Sequence, residues 1–146
     1  MPVDYMNIAL EEAKNAFDNN EIPVGCVIVS NGKVIAKSHN TTVSDNNDTH
    51  HAEINAINFA IKTLNKKNLT GCEMYVTLEP CPMCAGAIIN SKIKRVYIGA
   101  QEPKSGCFGS VTDLCNLNFN HKPEVYIGIK EDECKLLMRS FFINKR

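Results

Sequence analysis

Two cysteines three residues apart are the part of this sequence best suited to chemistry. Cys81 and Cys84 follow a short apolar stretch, and Pro82 between them suits the first position of a helix, where no N–H is needed. Because residues at i and i+3 share a helix face, both sulfurs can reach one point in space. The start of a helix also favours the thiolate, the form of cysteine that binds metals. The pattern therefore predicts a pair of metal-binding thiolates.

A histidine and a glutamate upstream complete a candidate zinc site. His51 and Glu53 stand in a His-Ala-Glu triplet. Two thiolates and one imidazole leave a fourth position open, as in catalytic zinc sites. Glu53 would then lie beside a water whose pKa zinc lowers to about 7, and it could move that water's proton. We predict His51, Cys81 and Cys84 as ligands of one Zn²⁺ per chain, and Glu53 as the proton shuttle in hydrolytic deamination of a nucleobase.

Each of these residues also has a simpler interpretation. A Cys-x-x-Cys pair after a strand is typical of thioredoxin-like redox proteins as well. His51 could be a surface or helix-capping histidine, with His50 as the ligand in its place. Glu53 could be an acidic residue that only favours a helix N-terminus. The triplet and the cysteine pair together favour zinc chemistry over these readings.

Length and composition fit one globular domain. The chain has 146 residues, of which 44% are hydrophobic and 22% charged. It contains no apolar run near the roughly 20 residues that span a bilayer, and its first residues do not resemble a secretory signal. Seven cysteines fit free thiols in a reducing compartment. We therefore expect a cytoplasmic protein without membrane contact.

The charges are unevenly distributed, although the net charge is zero. Acidic residues outnumber basic ones by ten to six up to Ser91, and basic residues outnumber acidic ones by ten to six from Lys92 onward. Basic residues of this second part could form a surface for a phosphate backbone, or only the solvated faces of two helices. They are Lys92, Lys94, Arg95, Lys104, Lys135, Arg139, Lys145 and Arg146.

Hydrophobic periodicity places the candidate site in an α/β protein. Asp4 can cap a first helix, and Thr49 or Asp48 can cap the helix that carries the triplet. Asn31-Gly32 is a strong hairpin signal, since both positions of such a turn need positive φ. The predicted fold class is a three-layer α/β/α sandwich with a mixed five-stranded sheet. The predicted strands are residues 23–29, 33–38, 73–78, 95–99 and 124–128, and the last helix covers residues 131–142.

Several motifs occur in order along the chain and resemble one known family. His-x-Glu followed by Pro-Cys-x-x-Cys is the signature of the zinc nucleobase deaminases. The longer match resembles the bacterial tRNA-specific adenosine deaminases, in the cytidine deaminase-like superfamily, and runs from roughly the first helix to the last. We predict a single deaminase domain over residues 1–146. The match consists of residues 21–25, Asn40, residues 51–53, residues 76–87, Gly99-Ala100, Lys104-Ser105-Gly106 and Phe141-Phe142.

The resemblance implies a specific activity and further site residues. The implied reaction converts adenosine to inosine at the wobble position of tRNA, on a zinc-dependent homodimer that binds the tRNA anticodon arm. By matching position, Asn40 is similar to a residue that hydrogen-bonds the purine. Lys104 and Phe142 resemble residues near the RNA. Asn40 as a turn residue, Lys104 as a solvated lysine and Phe142 as a core residue are the simpler alternatives.

Three departures from the family pattern concern the site. The ligand histidine is usually preceded by Asp-Pro-Thr-Ala, where this chain has Asn47-Asp48-Thr49-His50, so a second histidine competes for the metal. Glu102 replaces a usual aspartate in the loop before Lys104. Cys26 replaces a small alanine, which packing should tolerate.

Three other functions remain open from the sequence. The first is a deaminase of free guanine or cytosine, which would share the zinc site. The second is a zinc-stabilised RNA-binding module without catalysis, which requires a fourth protein ligand such as His50. The third is a redox protein that uses Cys81 and Cys84.

Overall fold

The computed structural model describes residues 4–144. Five strands form one sheet in the order β2-β1-β3-β4-β5. Among the described helices, none is both long and apolar enough to cross a bilayer. The elements are α1 (Tyr5–Asp18), β1 (Gly25–Ser30), β2 (Lys33–His39), α2 (Ala52–Leu64), β3 (Glu73–Leu78), α3 (Pro82–Asn90), β4 (Arg95–Ala100), β5 (Glu124–Ile127) and α4 (Glu131–Asn144).

The sheet is mixed, as predicted. β1 pairs antiparallel with both β2 and β3, whereas β3, β4 and β5 are parallel to one another. The β1–β2 hairpin turns at Asn31 and Gly32, whose φ angles are 51° and 73°. This confirms the hairpin predicted from the Asn-Gly pair.

Helices cover both faces of the sheet. Alternate residues of β1 point to opposite sides, so that Ile28 packs with α2 and α3 while Val27 packs with α1. On the α1 side, Cys134 of α4 packs with Leu10 of α1 and with Ala100. The three-layer α/β/α arrangement is therefore confirmed.

The helix starts and strand ends position the site. β3 ends at Leu78 and β4 at Ala100, and because these strands are parallel, the segments after them emerge at the same edge of the sheet. α3 begins at Pro82, after the three residues Glu79, Pro80 and Cys81 that follow β3. α2 begins at Ala52, with His51 as its N-cap residue, so the predicted caps Thr49 and Asp48 were wrong.

Within residues 4–144, the basic residues of the second part of the chain do not form one patch. Arg95 is paired with Glu73 and Glu124 at 3.1 Å and 2.6 Å. Lys92 and Lys94 precede β4 and therefore lie at the opposite end of the sheet from the strand ends. Of the other basic residues named, Lys135 is paired with Glu131, Lys104 and Arg139 are exposed, and Lys145 and Arg146 lie outside the described residues.

Candidate zinc and substrate site

The three predicted metal ligands meet in the structure. Nδ1 of His51 lies 3.6 Å from Sγ of Cys81 and 3.4 Å from Sγ of Cys84. All three donor atoms lie within 4.8 Å of one another. Tetrahedral zinc with Zn–S and Zn–N bonds of about 2.3 and 2.0 Å separates neighbouring S and N ligands by roughly 3.5 Å. The spacing and chemistry of these donors therefore fit zinc.

Two helix N-termini hold these donors. His51 is the N-cap residue of α2, and Cys81 is the N-cap residue of α3, with Pro82 in the first helical turn as predicted. Neither N-cap side chain makes a capping hydrogen bond. Instead, the side-chain oxygen of Asn40 accepts a 2.7 Å hydrogen bond from the Ala52 N–H. Asn40 thus caps α2 from a distant point in the chain.

The three donors share hydrogen bonds, which shift their pKa values. Hydrogen bonds from the Cys84 thiol and from His51 hold the pKa of Cys81 at about 4, well below the ordinary value of a thiol. The same contact with Cys81, together with burial, raises the pKa of Cys84. The hydrogen bond to Cys81 raises the pKa of His51. One thiolate is therefore already favoured, and a cation can take the place of the shared protons.

Glu53 lies beside this cluster in the first turn of α2. Its side chain is buried, and burial raises its pKa to about 7 despite a hydrogen bond from its own backbone N–H. The Cys84 thiol also interacts with the carboxyl group. A carboxyl group that titrates near neutral pH is suited to both accepting and donating a proton.

A cavity of about 190 Å³ opens above the cluster. An apolar body with a few convergent polar groups is typical of small-ligand sites. The polar lining is Asn40, His51, Glu53, Glu79, Cys81, Glu102 and Ser105. The mixture of polar and apolar groups in this lining suits a heterocycle whose edge carries hydrogen-bonding atoms. The apolar lining is Ile22, Val24, Leu78, Met138 and Phe142.

The second histidine does not join the cluster. Nδ1 of His50 lies 2.7 Å from a carboxylate oxygen of Asp45, and its Nε2 lies 3.1 Å from the amide nitrogen of Asn47. Within residues 4–144, the only cluster of side chains close enough together to hold a metal ion is His51, Cys81 and Cys84. The fourth protein ligand that a closed, non-catalytic zinc site requires is therefore not supplied by His50.

The three residues suggested by the family resemblance, Asn40, Lys104 and Phe142, take different positions relative to the cavity. Asn40 is buried and lines the cavity, and Phe142 lies half-exposed at its rim. Lys104 is exposed and lies outside the cavity lining, between Glu102 and Ser105, which do line it. Glu102 accepts a 3.0 Å hydrogen bond from the Lys104 N–H.

Sequence reasoning missed two further buried glutamates near the cavity. Glu21, next to the cavity residue Ile22, accepts four hydrogen bonds from Thr42, Val43 and Ser44, at the start of the loop that leads to His51. Glu79 likewise accepts four hydrogen bonds from the groups of another loop. Their partners are remote in sequence, so the only signal was the unusual position of charged residues beside apolar segments.

The chain is similar to known deaminases in sequence and in structure. A family model described as the zinc-binding region of cytidine and deoxycytidylate deaminases matches residues 2–100. A tRNA-specific adenosine deaminase of Bacillus subtilis (strain 168) is 44% identical over 139 residues, covering 94% of this chain and 86% of the relative. A solved structure from work on A-to-I editing by tRNA:A34 deaminases at the wobble position of transfer RNA is also 44% identical. It has a TM-score of 0.88 and covers 91% of this chain and 97% of its own. A guanine deaminase structure from Bacillus subtilis is 28% identical, with a TM-score of 0.64 over 80% of this chain and 85% of the other.

Proposed function

The chain belongs to the cytidine and deoxycytidylate deaminase family, and we propose that it converts adenosine to inosine at the wobble position of tRNA by zinc-dependent hydrolysis. Water supplies the oxygen, and the exocyclic amine leaves as ammonia. The observation that carries the proposal is the meeting of three metal donors and a buried glutamate at one cavity. The identity to tRNA-specific adenosine deaminases supports the choice of substrate.

His51, Cys81 and Cys84 would hold the zinc ion. When bound there, zinc lowers the pKa of a water toward neutrality and makes it a better nucleophile at neutral pH. The other parts of the reaction are proton transfers and positioning, which the residues of the chain perform.

Glu53 is the group that moves protons. It accepts a proton from the attacking water and delivers it to N1 of the purine ring. It then accepts the proton of the new C6 hydroxyl and supplies it to the amine, so that the C6–N bond breaks, ammonia leaves and the carbonyl of inosine forms. Among the three glutamates buried in residues 4–144, Glu21 and Glu79 each accept four hydrogen bonds from loop groups, whereas the partners of Glu53 are its own N–H and the Cys84 thiol. Since a carboxylate has about four acceptor sites, Glu53 keeps the capacity for a water and a substrate.

Asn40 orients the base. Its side-chain oxygen is engaged by the Ala52 N–H, which leaves the NH₂ group as the part of the amide that can serve a ligand in the cavity. Adenine N7 is a hydrogen-bond acceptor, so this NH₂ group can donate to it. Phe142 and Met138 supply apolar surface against the ring.

Further parts of the proposal concern the setting of the reaction. We propose that the partner is the tRNA anticodon arm, that Lys104 contacts its backbone, and that the enzyme acts as a cytoplasmic homodimer. A single deaminase domain over residues 1–146 is part of the same proposal. The exposed position of Lys104 beside the cavity wall supports a contact with a substrate larger than a free base.

The nearest alternative is deamination of free guanine. The guanine deaminase structure shares 28% identity with this chain, and the zinc donors do not separate the two activities. The lower identity and TM-score of this match favour tRNA as the substrate.

The direct test uses purified protein and tRNA that bears adenosine at the wobble position. Inosine is scored after nuclease digestion, and ammonia release is measured in parallel from free guanine and free cytosine. Inosine formation that stops on chelation and returns with added zinc supports the proposal. Ammonia from a free base without inosine in tRNA contradicts it.

A further inference from the structure

The carboxylate of Glu79 is the centre of a closed hydrogen-bond network beside the metal-binding turn. Glu79 follows β3 directly, is 2% exposed, and stands two residues before Cys81. One carboxylate oxygen accepts the Glu102 N–H at 3.0 Å and the Ser110 hydroxyl. The other accepts the Phe108 N–H at 3.0 Å and the Ser110 N–H at 3.1 Å. Four donors occupy the roughly four acceptor sites of a carboxylate.

All four donors belong to one segment, residues 102–110, which wraps around this carboxylate. At Gly106 the wrapping is so close that a Cβ atom would lie 2.3 Å from the Glu79 carboxyl carbon. A backbone hydrogen bond attaches the same segment to the metal-binding turn: the Cys107 N–H donates to the Pro80 carbonyl at 2.9 Å. The segment is thus fixed on the turn that carries Cys81.

The 102–110 segment forms one wall of the cavity and carries the exposed lysine. Glu102 and Ser105 line the cavity, and Lys104 stands between them, exposed. Because every acceptor site of Glu79 is used by this segment, Glu79 is not suited to moving protons, although it borders the cavity.

We infer that Glu79 is a positioning residue, which holds residues 102–110 in the conformation that binds the RNA on one side of the cavity. The inference rests on the proposed function, because it assigns the wall a role toward a tRNA substrate. It predicts a loss of substrate binding when the network is broken, with little loss in the chemical step.

Glu79→Gln tests this with nearly unchanged side-chain volume. A glutamine offers one oxygen in place of two, so two donors of the segment would face its NH₂ group. We expect KM for an anticodon stem-loop to rise about tenfold while kcat stays within about twofold, the signature of lost binding that is uniform between ground and transition states. Zinc should remain at one per chain, and amide hydrogen exchange should accelerate at Glu102, Phe108 and Ser110.

Two further variants keep the test decisive. Ser110→Ala removes only the hydroxyl donor and should give a smaller rise in KM, which keeps the test open if Glu79→Gln fails to fold. Leu69→Ala truncates a fully buried side chain before β3, near Ser91 and away from the cavity. It should lower the unfolding temperature without changing KM.

The outcomes separate this inference from the proposed function. If the wild-type protein makes no inosine in tRNA, the proposed function fails. If the wild type is active and Glu79→Gln changes stability in the manner of Leu69→Ala, with KM unchanged below both unfolding temperatures, the inference is overturned. A fall in kcat with KM unchanged, or a loss of zinc, also overturns it.

Discussion

Replacement of Glu53 by glutamine separates proton transfer from every other property of the site. The substitution keeps the shape of a side chain that is 4% exposed in the first turn of α2. It removes a negative charge that a helix N-terminus stabilises by about 0.3–1 kcal/mol. It also removes the cost of burying that charge, which the raised pKa of Glu53 records. Because these effects oppose each other, we expect the unfolding free energy to change by no more than about 1 kcal/mol, or roughly 2–4 °C in Tm.

Catalysis should change far more than stability. General acid–base catalysis contributes about 10²–10⁴-fold, equivalent to roughly 3–5 kcal/mol of barrier. Since one carboxyl group serves both the ring nitrogen and the leaving amine in the proposed mechanism, we expect the loss of rate in Glu53→Gln to lie near the upper end of this range. His51, Cys81 and Cys84 are unchanged, so zinc should stay at one per chain.

The assay is single-turnover formation of inosine in tRNA, with zinc content measured on the same preparation. Glu11→Gln, the same chemical change at an exposed position of α1, is the matched control and should behave as wild type. A Glu53→Gln enzyme that binds zinc, is folded and turns over within tenfold of wild type would refute the proposed role of this residue.

Three other outcomes follow from the site geometry. His51→Gln should lower the zinc content well below one per chain after dialysis, whereas His50→Gln, one residue away and bonded elsewhere, should leave the zinc content unchanged. Asn40→Ala removes the remote cap of α2 and the proposed donor to the substrate, so urea unfolding should show a loss of about 1 kcal/mol and kinetics should show KM raised about tenfold. Glu21→Gln should cost about 3 kcal/mol at pH 7 in the same unfolding assay, since it breaks hydrogen bonds to a buried charge. Burial raises the pKa of Glu21, but the loop hydrogen bonds outweigh it and hold the pKa below 4.5 in the folded protein. Its stabilisation is therefore complete above pH 4.5 and lost as the pH falls through the folded pKa, so the wild-type and Glu21→Gln stability curves should converge in acid.

The hairpin and the starts of α1 and α3 could be predicted from sequence because the residues that determine each of them are adjacent in the chain. The Asn31-Gly32 pair fixed the hairpin, and Asp4 caps α1 through a hydrogen bond from the Asn7 N–H, as expected. The Cys-Pro-x-Cys turn begins a helix as predicted, because Pro82 suits a first helical position, where no N–H is needed. The meeting of His51 with the two cysteines was inferred from chemistry, and the structure brings the donors together.

The start of α2 was predicted incorrectly. The sequence suggested a cap at Thr49 or Asp48, but Thr49 instead donates to the side chain of Asn47 in a turn before the helix. The buried positions of the helix are Ala52, Glu53, Ala56, Ile57 and Ala60, whereas the larger residues Ile54, Ile61 and Leu64 are only partly buried. Small alanines allow the helix to lie close to the sheet, and the larger residues pack along its flanks.

The supporting hydrogen bonds of the site could not be predicted. Glu21 and the groups it binds are 21 to 23 residues apart, and Glu79 and Ser110 are 31 residues apart. Such contacts depend on the path of loops after the strands, for which hydrophobic periodicity carries no information. The departure at Glu102 was visible in the sequence, but its role as part of the cavity wall was not.

The positions of His51 and Cys81 at two helix starts link metal binding to folding. Serine, aspartate or asparagine at an N-cap commonly adds about 1 kcal/mol to helix stability, and neither helix has one there. At both positions a candidate metal ligand stands where a capping residue would stabilise the helix. Substituting a better cap there to raise heat resistance would therefore remove a metal donor. A bound cation would instead join both helix ends through their side chains, and its removal should loosen the two ends together.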